Sequence, residues 1–502
     1  MYHAIIFTDC WNPLGSVPAI GAYKCAHSLR KNGYSCLVIN HIGEFELDEL
    51  IKLLDLAIGN DTSLIGFSTT FISNKIDMNS DKSGYIKSNN IVLPQGIEFE
   101  KKLIQYIQNK NQNIKTVVGG TKANANYSNK NIDYVCLGYS EVSIVNLMDH
   151  LVKGVNLDKS HKNIFGRIII DDRFADSYEF SKEDMIWLDT DVVNHKCLPI
   201  EIGRGCIFQC KFCSYPMVGK KNMDYVKSTT CLQHELQRNY DMFGVKNYLI
   251  MDDTFNDNVE KLKQIELTIS KLTFQPEFWA YIRIDLLCTK PETLDLLYRI
   301  GVRAMQFGIE TMHPGAAKSI GKGFDRDKIV AKINEIADRY PDVHTGSGFI
   351  IGLPGETADD SRETFKKLMA GEIRLSYWNW QPLYLERPGT VTYTSEFGRN
   401  IEKYGYVDQG TSNHDQYIDW KSPIMTRDQA LSLCKEFEHG RRVRGGQLMT
   451  LTTYGIFEWK DLIKNSEKIT YSELLKNHLA PKFIQTYKQK LLELIVDKSE
   501  FV

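Results

Sequence analysis

The chain has 502 residues, enough for about three domains of roughly 150 residues each. Its 61 Lys and Arg nearly balance 63 Asp and Glu, with 42% hydrophobic and 25% charged residues. That composition excludes a mostly disordered chain, which lacks the apolar material for cores, and nucleic-acid binding through a bulk basic field. No apolar stretch reaches the roughly 18 residues a membrane-spanning helix needs. The first residues have no basic lead and place Asp9 where an export signal would be apolar, so a cytoplasmic protein is expected.

Residues 1–154 alternate short apolar runs with amphipathic stretches. Strands are expected at 4–8, 36–40, 64–68, 116–118 and 133–137, and helices at 19–31, 46–56, 97–112 and 143–152. Such alternation predicts a Rossmann-like parallel sheet with helices on both faces. Ligands of such sheets lie at the carboxyl ends of the strands. The loops there are 9–15, Ser68-Thr69-Thr70, Gly119-Gly120-Thr121 and Gly138-Tyr139-Ser140-Glu141. Residues 155–194 are polar and weakly periodic and read as a linker. A second alternating series fills 195–395. Residues 396–502 are mostly helical in pattern, as at 427–439 and 484–496.

Eleven cysteines, an odd number, argue for a reducing compartment rather than a disulfide framework. Eight are scattered and read as small buried hydrophobes. The other three form Cys206-Ile207-Phe208-Gln209-Cys210-Lys211-Phe212-Cys213, a C-x3-C-x2-C spacing just after an apolar strand. Two chemistries compete. A structural zinc site wants a fourth ligand, from His195, Cys197 or Cys231. A four-iron cluster held by three thiolates keeps one iron open to a small molecule.

Gly203-Arg204-Gly205-Cys206 through Cys213, with the aromatic Phe212 before the third cysteine, resembles the radical S-adenosylmethionine (SAM) enzymes. The resemblance implies a [4Fe–4S] cluster on Cys206, Cys210 and Cys213, with SAM chelated at the open iron and Phe212 near the adenine. It implies a partial (β/α)6, TIM-like barrel with ligand-contacting residues at its strand ends. Asp253, in Met251-Asp252-Asp253-Thr254, stands where the family contacts the SAM ammonium, although the glycine-glycine-glutamate form is absent. Arg283 could pair with the SAM carboxylate. Glu310 looks like the ribose- or ammonium-contacting acid. Gly352, within Gly348–Thr357, resembles the adenine motif. Taken singly, each of these residues has an ordinary structural reading as a cap, turn or surface ion. Their joint order behind the triplet favours the family.

A parallel sheet before the barrel resembles the cobalamin-dependent branch. Ser68 and the pair Gly119-Gly120 would approach the corrin tail, and Gly138–Glu141 resembles a turn common in that branch. The D-x-H-x-x-G motif is missing; Asp9-Cys10-Trp11-Asn12-Pro13-Leu14-Gly15 stands in its place. The sheet therefore reads either as a cobalamin-binding domain or as a degenerate or substrate-binding one. Methylthiotransferases carry three further cluster cysteines in their first domain; Cys10, Cys25, Cys36 and Cys136 lack such spacing. The expected activity is reductive SAM cleavage to a 5′-deoxyadenosyl radical. With cobalamin, methyl transfer to an unactivated carbon would follow; without it, rearrangement, cyclisation or oxidation. A cluster scaffold without chemistry is the non-enzyme alternative. Expected partners are a small-molecule or peptide substrate and an electron donor such as flavodoxin or ferredoxin. His313, Trp378, Trp380, Tyr384, Trp420 and the basic run Arg441-Arg442-Val443-Arg444 could line a substrate site, but core packing and a solvated helix end are the plainer readings.

Overall fold

A computed structural model describes residues 1–9, 17–70, 72, 92–120, 123–158, 160–172, 179–193, 195–214, 225–389, 394–410, 417–440 and 480–499. Residues 10–15 of the expected 9–15 loop, Thr121 and the basic run at 441–444 lie outside the described residues.

Short apolar runs become fully buried strands, as a parallel sheet covered on both faces requires. They are β1 (Ala4–Phe7), β2 (Cys36–Ile39), β3 (Leu64–Ser68), β4 (Lys115–Gly119) and β5 (Tyr134–Leu137). The stretch expected to be a linker instead contributes β6 (Ser160–Lys162) and β7 (Ile168–Asp171), giving the order β2-β1-β3-β4-β5-β7-β6. Only the β6–β7 pair is antiparallel. Alternate side chains feed two cores. Ile5, Phe7, Leu37 and Ile39 join one cluster, while Ala4, Ile6, Cys36 and Val38 join another that continues into the barrel. The strand order reverses at β1, which opens a crevice at the carboxyl ends of β1 and β3.

The second sheet holds β8 (Cys197–Ile200), β9 (Asn247–Ile250), β10 (Glu277–Ile282), β11 (Val302–Glu310), β12 (His344–Ile351) and β13 (Tyr377–Pro382). They lie in sequence order and all parallel. No pairing of β8 with β13 occurs among the described residues, so the barrel is open.

The described part of 396–502 goes to two places. Phe437, on helix Arg427–Gly440, stacks on Phe365 at 4.6 Å and meets Trp380 at 4.7 Å, against the outside of the barrel. Helix Ala480–Ser499 instead returns to the first sheet: Tyr487, Leu491 and Ile495 complete its outer core. The Tyr487 hydroxyl accepts from the Asn40 amide at 2.9 Å. No described helix is long and apolar enough to cross a membrane.

Candidate cofactor sites at two strand edges

The cysteine loop leaves the carboxyl end of β8 under tight control. One oxygen of Asp252, Oδ1, accepts from the amides of Ile202 (2.8 Å) and Gly203 (2.7 Å). A Cβ at Gly203 would lie 2.9 Å from the other oxygen, so the turn requires glycine. Gly205 adopts φ +91°, a conformation L-residues rarely take. Burial pushes the Asp252 carboxyl up to about 6, although Lys261 and those amides pull it down. The adjacent acids thus divide the work. Asp252 braces the loop, whereas the Asp253 backbone carbonyl accepts from Thr254 Oγ1 at 2.8 Å and its carboxylate does not brace the loop amides. Burial, then Asp252 and Glu201, push Asp253 up to about 7.

The three predicted thiols share this loop. Cys206 is buried, with Thr254 Oγ1 at 3.4 Å; Cys210 and Cys213 are half-buried. Arg283 Nη1 stands 3.6 Å from Cys210 Sγ, and its guanidinium lies 3.8 Å over the Phe208 ring. A cation beside the sulfurs suits ligands that bind as thiolates. Arg283 is also clamped by Asp285 at 3.0 and 2.6 Å. The alternative fourth ligands are elsewhere. Cys197 starts β8, at the opposite end of the strand from the loop, and burial pushes its thiol up. His195 stacks on His41. Cys231 lies on helix Thr229–Phe243. Among the described residues no group of three or more His, Cys, Asp or Glu side chains is gathered as for a single metal ion, the three loop thiols included. What the thiols share is one loop and the adjacent Arg283 cation, a setting that suits thiolate ligands.

Glu310 ends β11 with φ +67°, where the register with β12 breaks. A non-glycine residue held there marks a site whose surroundings impose the geometry. Sequence reasoning missed its partner. Lys322 Nζ reaches back to Glu310 Oε1 and the Gly308 carbonyl, both at 2.8 Å, and stands 5.5 Å over the Phe212 ring. A cleft lined by Arg283, Asp285, Gly308 and Lys322 opens beside the cysteine loop. One row across the barrel carries Tyr281, Gln306, Gly346 and Tyr377 in register. Burial, then Asp253, Glu310 and Tyr377, push the Tyr281 phenol up, so these groups share the barrel mouth.

Gly352 packs against the C-terminal hairpin. A Cβ there would strike the Trp420 indole at 2.3 Å, and the Gly352 carbonyl accepts from the Tyr406 hydroxyl at 2.7 Å. Its φ of +99° serves that packing. Trp378, Trp380 and Trp420 are buried core residues, Tyr384 is exposed, and His313 caps helix Pro314–Ser319 through Nδ1.

At the first sheet, the loops carrying Ser68, Gly119 and Gly120 meet. Thr69 Oγ1 donates to the Gly119 carbonyl at 2.7 Å. Gly120 has φ +101°, and a Cβ on it would lie 2.8 Å from Thr70 Oγ1 and 3.1 Å from Thr69 Oγ1. Ser140 Oγ is 3.6 Å from a Cβ placed on Gly119. The Thr69 and Thr70 hydroxyls occupy the space that a Cβ on Gly120 would take, so the two loops close on each other as an uncharged cradle of hydroxyls and backbone.

Residues 200–368 match the family model of the Radical SAM superfamily. The chain carries a radical SAM domain. It is 26% identical to a bacteriochlorophyllide d C-12(1)-methyltransferase of Chlorobaculum tepidum over 196 residues, 38% of this chain and 41% of the relative. It is 26% identical to a ribosomal protein uS12 methylthiotransferase of Clostridium perfringens over 210 residues, 40% of this chain and 43% of the relative. The chain thus spans less than half the length of these curated relatives. Two solved structures share its fold almost end to end. The radical SAM methyltransferase TsrM of Kitasatospora setae, with cobalamin and a [4Fe-4S] cluster bound, matches with TM-score 0.60 at 13% identity over 99% of this chain and 100% of that one. The cobalamin-dependent radical SAM enzyme OxsB, with aqua-cobalamin bound, matches with TM-score 0.63 at 14% identity over 98% of this chain and 72% of that one.

Proposed function

We propose that this enzyme is a corrinoid-using radical SAM methyltransferase, with Cys206, Cys210 and Cys213 holding a [4Fe–4S] cluster. The observation that supports the reading best is the juxtaposition of the two edges. Tyr139 and Glu141, from the loop beside the Gly119-Gly120 cradle, contact Arg204 of the cysteine loop at 4.2 and 2.7 Å. A ligand in the cradle therefore borders the barrel mouth. The cluster, when bound, supplies an electron to SAM at close contact. The chain's own part is positioning. Asp252 fixes the loop that carries the thiols. Lys322 holds Glu310 and offers a second cation beside Phe212, complementary to the SAM carboxylate. The Asp253 carboxylate would accept from the SAM ammonium. The substrate seats over the Tyr281–Gln306–Tyr377 row, where phenols and an amide offer hydrogen bonds and Gly346 leaves room. Residues 1–154, 195–395 and 396–502 remain the proposed functional division, with 155–194 joined structurally to the first.

The test is anaerobic reconstitution with iron, sulfide and hydroxocobalamin, followed by gel filtration. Retained corrinoid absorbance, together with 5′-deoxyadenosine or methylated product from SAM and a reductant, is the expected result. Protein that retains no corrinoid would leave the cobalamin-independent outcomes: rearrangement, cyclisation or oxidation. Undiminished SAM turnover in Cys210→Ala would overturn the cluster assignment itself.

A further inference from the structure

We propose that a closed ring of four buried charges, Lys24, Glu201, Arg204 and Glu141, couples the ligand edge of the first sheet to the cysteine loop, so that occupancy of one is felt at the other. For the identity of the sheet ligand this rests on the corrinoid reading above.

Each carboxylate in the ring serves both cations. Arg204 Nη2 lies 2.7 Å from Glu141 Oε1 and 2.9 Å from Glu201 Oε2, with Nε 2.8 Å from Glu201 Oε1. Lys24 pairs with Glu201 and stands 3.9 Å from Glu141. All four residues are buried. The Arg204 guanidinium lies 4.2 Å over the Tyr139 ring. It also faces Phe180 at 5.0 Å, which Lys24 meets at 4.9 Å. Burial works against the charge on Glu201, yet Arg204 and Lys24 hold its carboxyl well below the usual carboxylate range. Burial, then Arg204, push the Lys24 ammonium down from its ordinary value, while Glu201 and Glu141 act in the opposite sense.

Its members stand behind the loops that matter. Lys24 is in the first turns of helix Ile20–Lys31, which follows the β1 loop. Glu141 opens helix Glu141–Lys153 directly after Ser140, which faces Gly119. Arg204 is two residues before Cys206, and Glu201 follows β8. Stability explains such a ring poorly, because apolar residues of equal volume stabilise a core at least as well as buried ion pairs. In a low-dielectric interior, Coulomb energy depends steeply on separation. A small displacement of Glu141 or Lys24 by a ligand at the cradle therefore acts on Arg204, and through its backbone on Cys206. Coupling of this kind is reciprocal for binding.

The test uses the full chain, anaerobically reconstituted, as wild type, Glu141→Gln, Arg204→Lys and the control Asp191→Asn. The buried Asp191 pairs with Arg30, which also donates to the Cys36 carbonyl at the amino end of β2, the end opposite the ligand edge. Two quantities are read: the affinity for SAM by equilibrium dialysis with and without saturating hydroxocobalamin, and the cluster potential by EPR-monitored titration. In the wild type and Asp191→Asn, hydroxocobalamin changes SAM affinity by about fivefold. In Glu141→Gln and Arg204→Lys both ligands still bind, but the ratio falls to one. Glu141→Gln removes one negative charge near Cys206, so its cluster is reduced at a higher potential than in Asp191→Asn. A ratio of one in the wild type, or a wild-type ratio and potential in Glu141→Gln, overturns the proposal. If the wild type binds no hydroxocobalamin, the corrinoid reading falls separately. The potential then decides the ring: raised in Glu141→Gln, it supports the link; unchanged, it removes it.

Discussion

The two parallel sheets present their carboxyl edges to ligands in opposite styles. The first offers Ser68, Thr69, Thr70, Gly119 and Gly120, an uncharged surface in which threonine hydroxyls pack against glycine backbone. The second is crowded with charge: Asp252, Asp253, Arg283, Asp285, Glu310 and Lys322 meet within a few strand ends. Both edges follow from the same topological rule, so the difference lies in the ligand. A zwitterion such as SAM is selected by fixed charges of both signs. A broad ligand held by its rim is selected by what the protein omits, and glycine is the residue that omits most.

Substitutions at each edge should therefore fail in different ways. The largest effect is expected from Gly120→Val, which places a branched side chain against Thr69 and Thr70 at a positive φ. Corrinoid retention should fall by about a hundredfold or more, at a strain of about 1–3 kcal/mol, while cluster absorbance and SAM cleavage persist. Equal loss of both activities would break the distinction between the edges. Gly352→Ala comes next. Its methyl would overlap Trp420, and destabilisation of about 1–3 kcal/mol in thermal melts is expected, with KM for SAM unchanged in the surviving fraction. A KM effect larger than the stability effect would place Gly352 at the adenine site. Lys322→Met should raise KM for SAM about tenfold, the loss of one charge-assisted contact, with little change in corrinoid binding.

The smallest effect sharpens the charged edge. Glu356 follows β12, buried to 2% exposure, with Oε2 lacking a partner among the described residues. Burial, eased by Thr311 and Ser361, pushes its carboxyl from 4.5 up to about 8. The folded state keeps a proton that the unfolded chain loses, so this group's contribution to stability falls as pH rises from about 4.5 to about 8. Glu356→Gln should melt with the wild type at pH near 5 and above it at pH near 8, by about 1 kcal/mol or more. Identical melting at both pH values would place the acid in a better-solvated environment than its burial indicates.

What the sequence shows directly is what local pattern determines. Strands β1, β2 and β5 are short apolar runs, β10, β11 and β13 alternate in burial, and the cysteine spacing is contained in one loop. Glu310 is legible because it ends a strand. Lys322 is not, because it reaches Glu310 across an intervening helix and turn. Asp252 and Asp253 are identical in type and adjacent, and only the fold turns one toward the Ile202 and Gly203 amides. The packing of Gly352 is not legible either, because Trp420, the side chain that needs its missing Cβ, comes 68 positions later on a separate hairpin. The stretch 155–194 reads as a linker because β6 is an exposed edge strand with no apolar signature. The charge ring joins residues 63 and 177 positions apart, a separation no local pattern encodes.

The return of helix Ala480–Ser499 to the first sheet has a consequence for the order of assembly. Tyr487, Leu491 and Ile495 close the apolar surface formed by Ile39, Leu50, Leu53 and their neighbours, and Lys488 bonds Glu49. During synthesis that surface is made early and stays uncovered until the polypeptide has grown by more than four hundred residues. Its partner arrives after the whole barrel. The sheet thus spends the translation interval as a half-capped intermediate with an exposed greasy flank, and final closure of its core is a long-range event of high contact order.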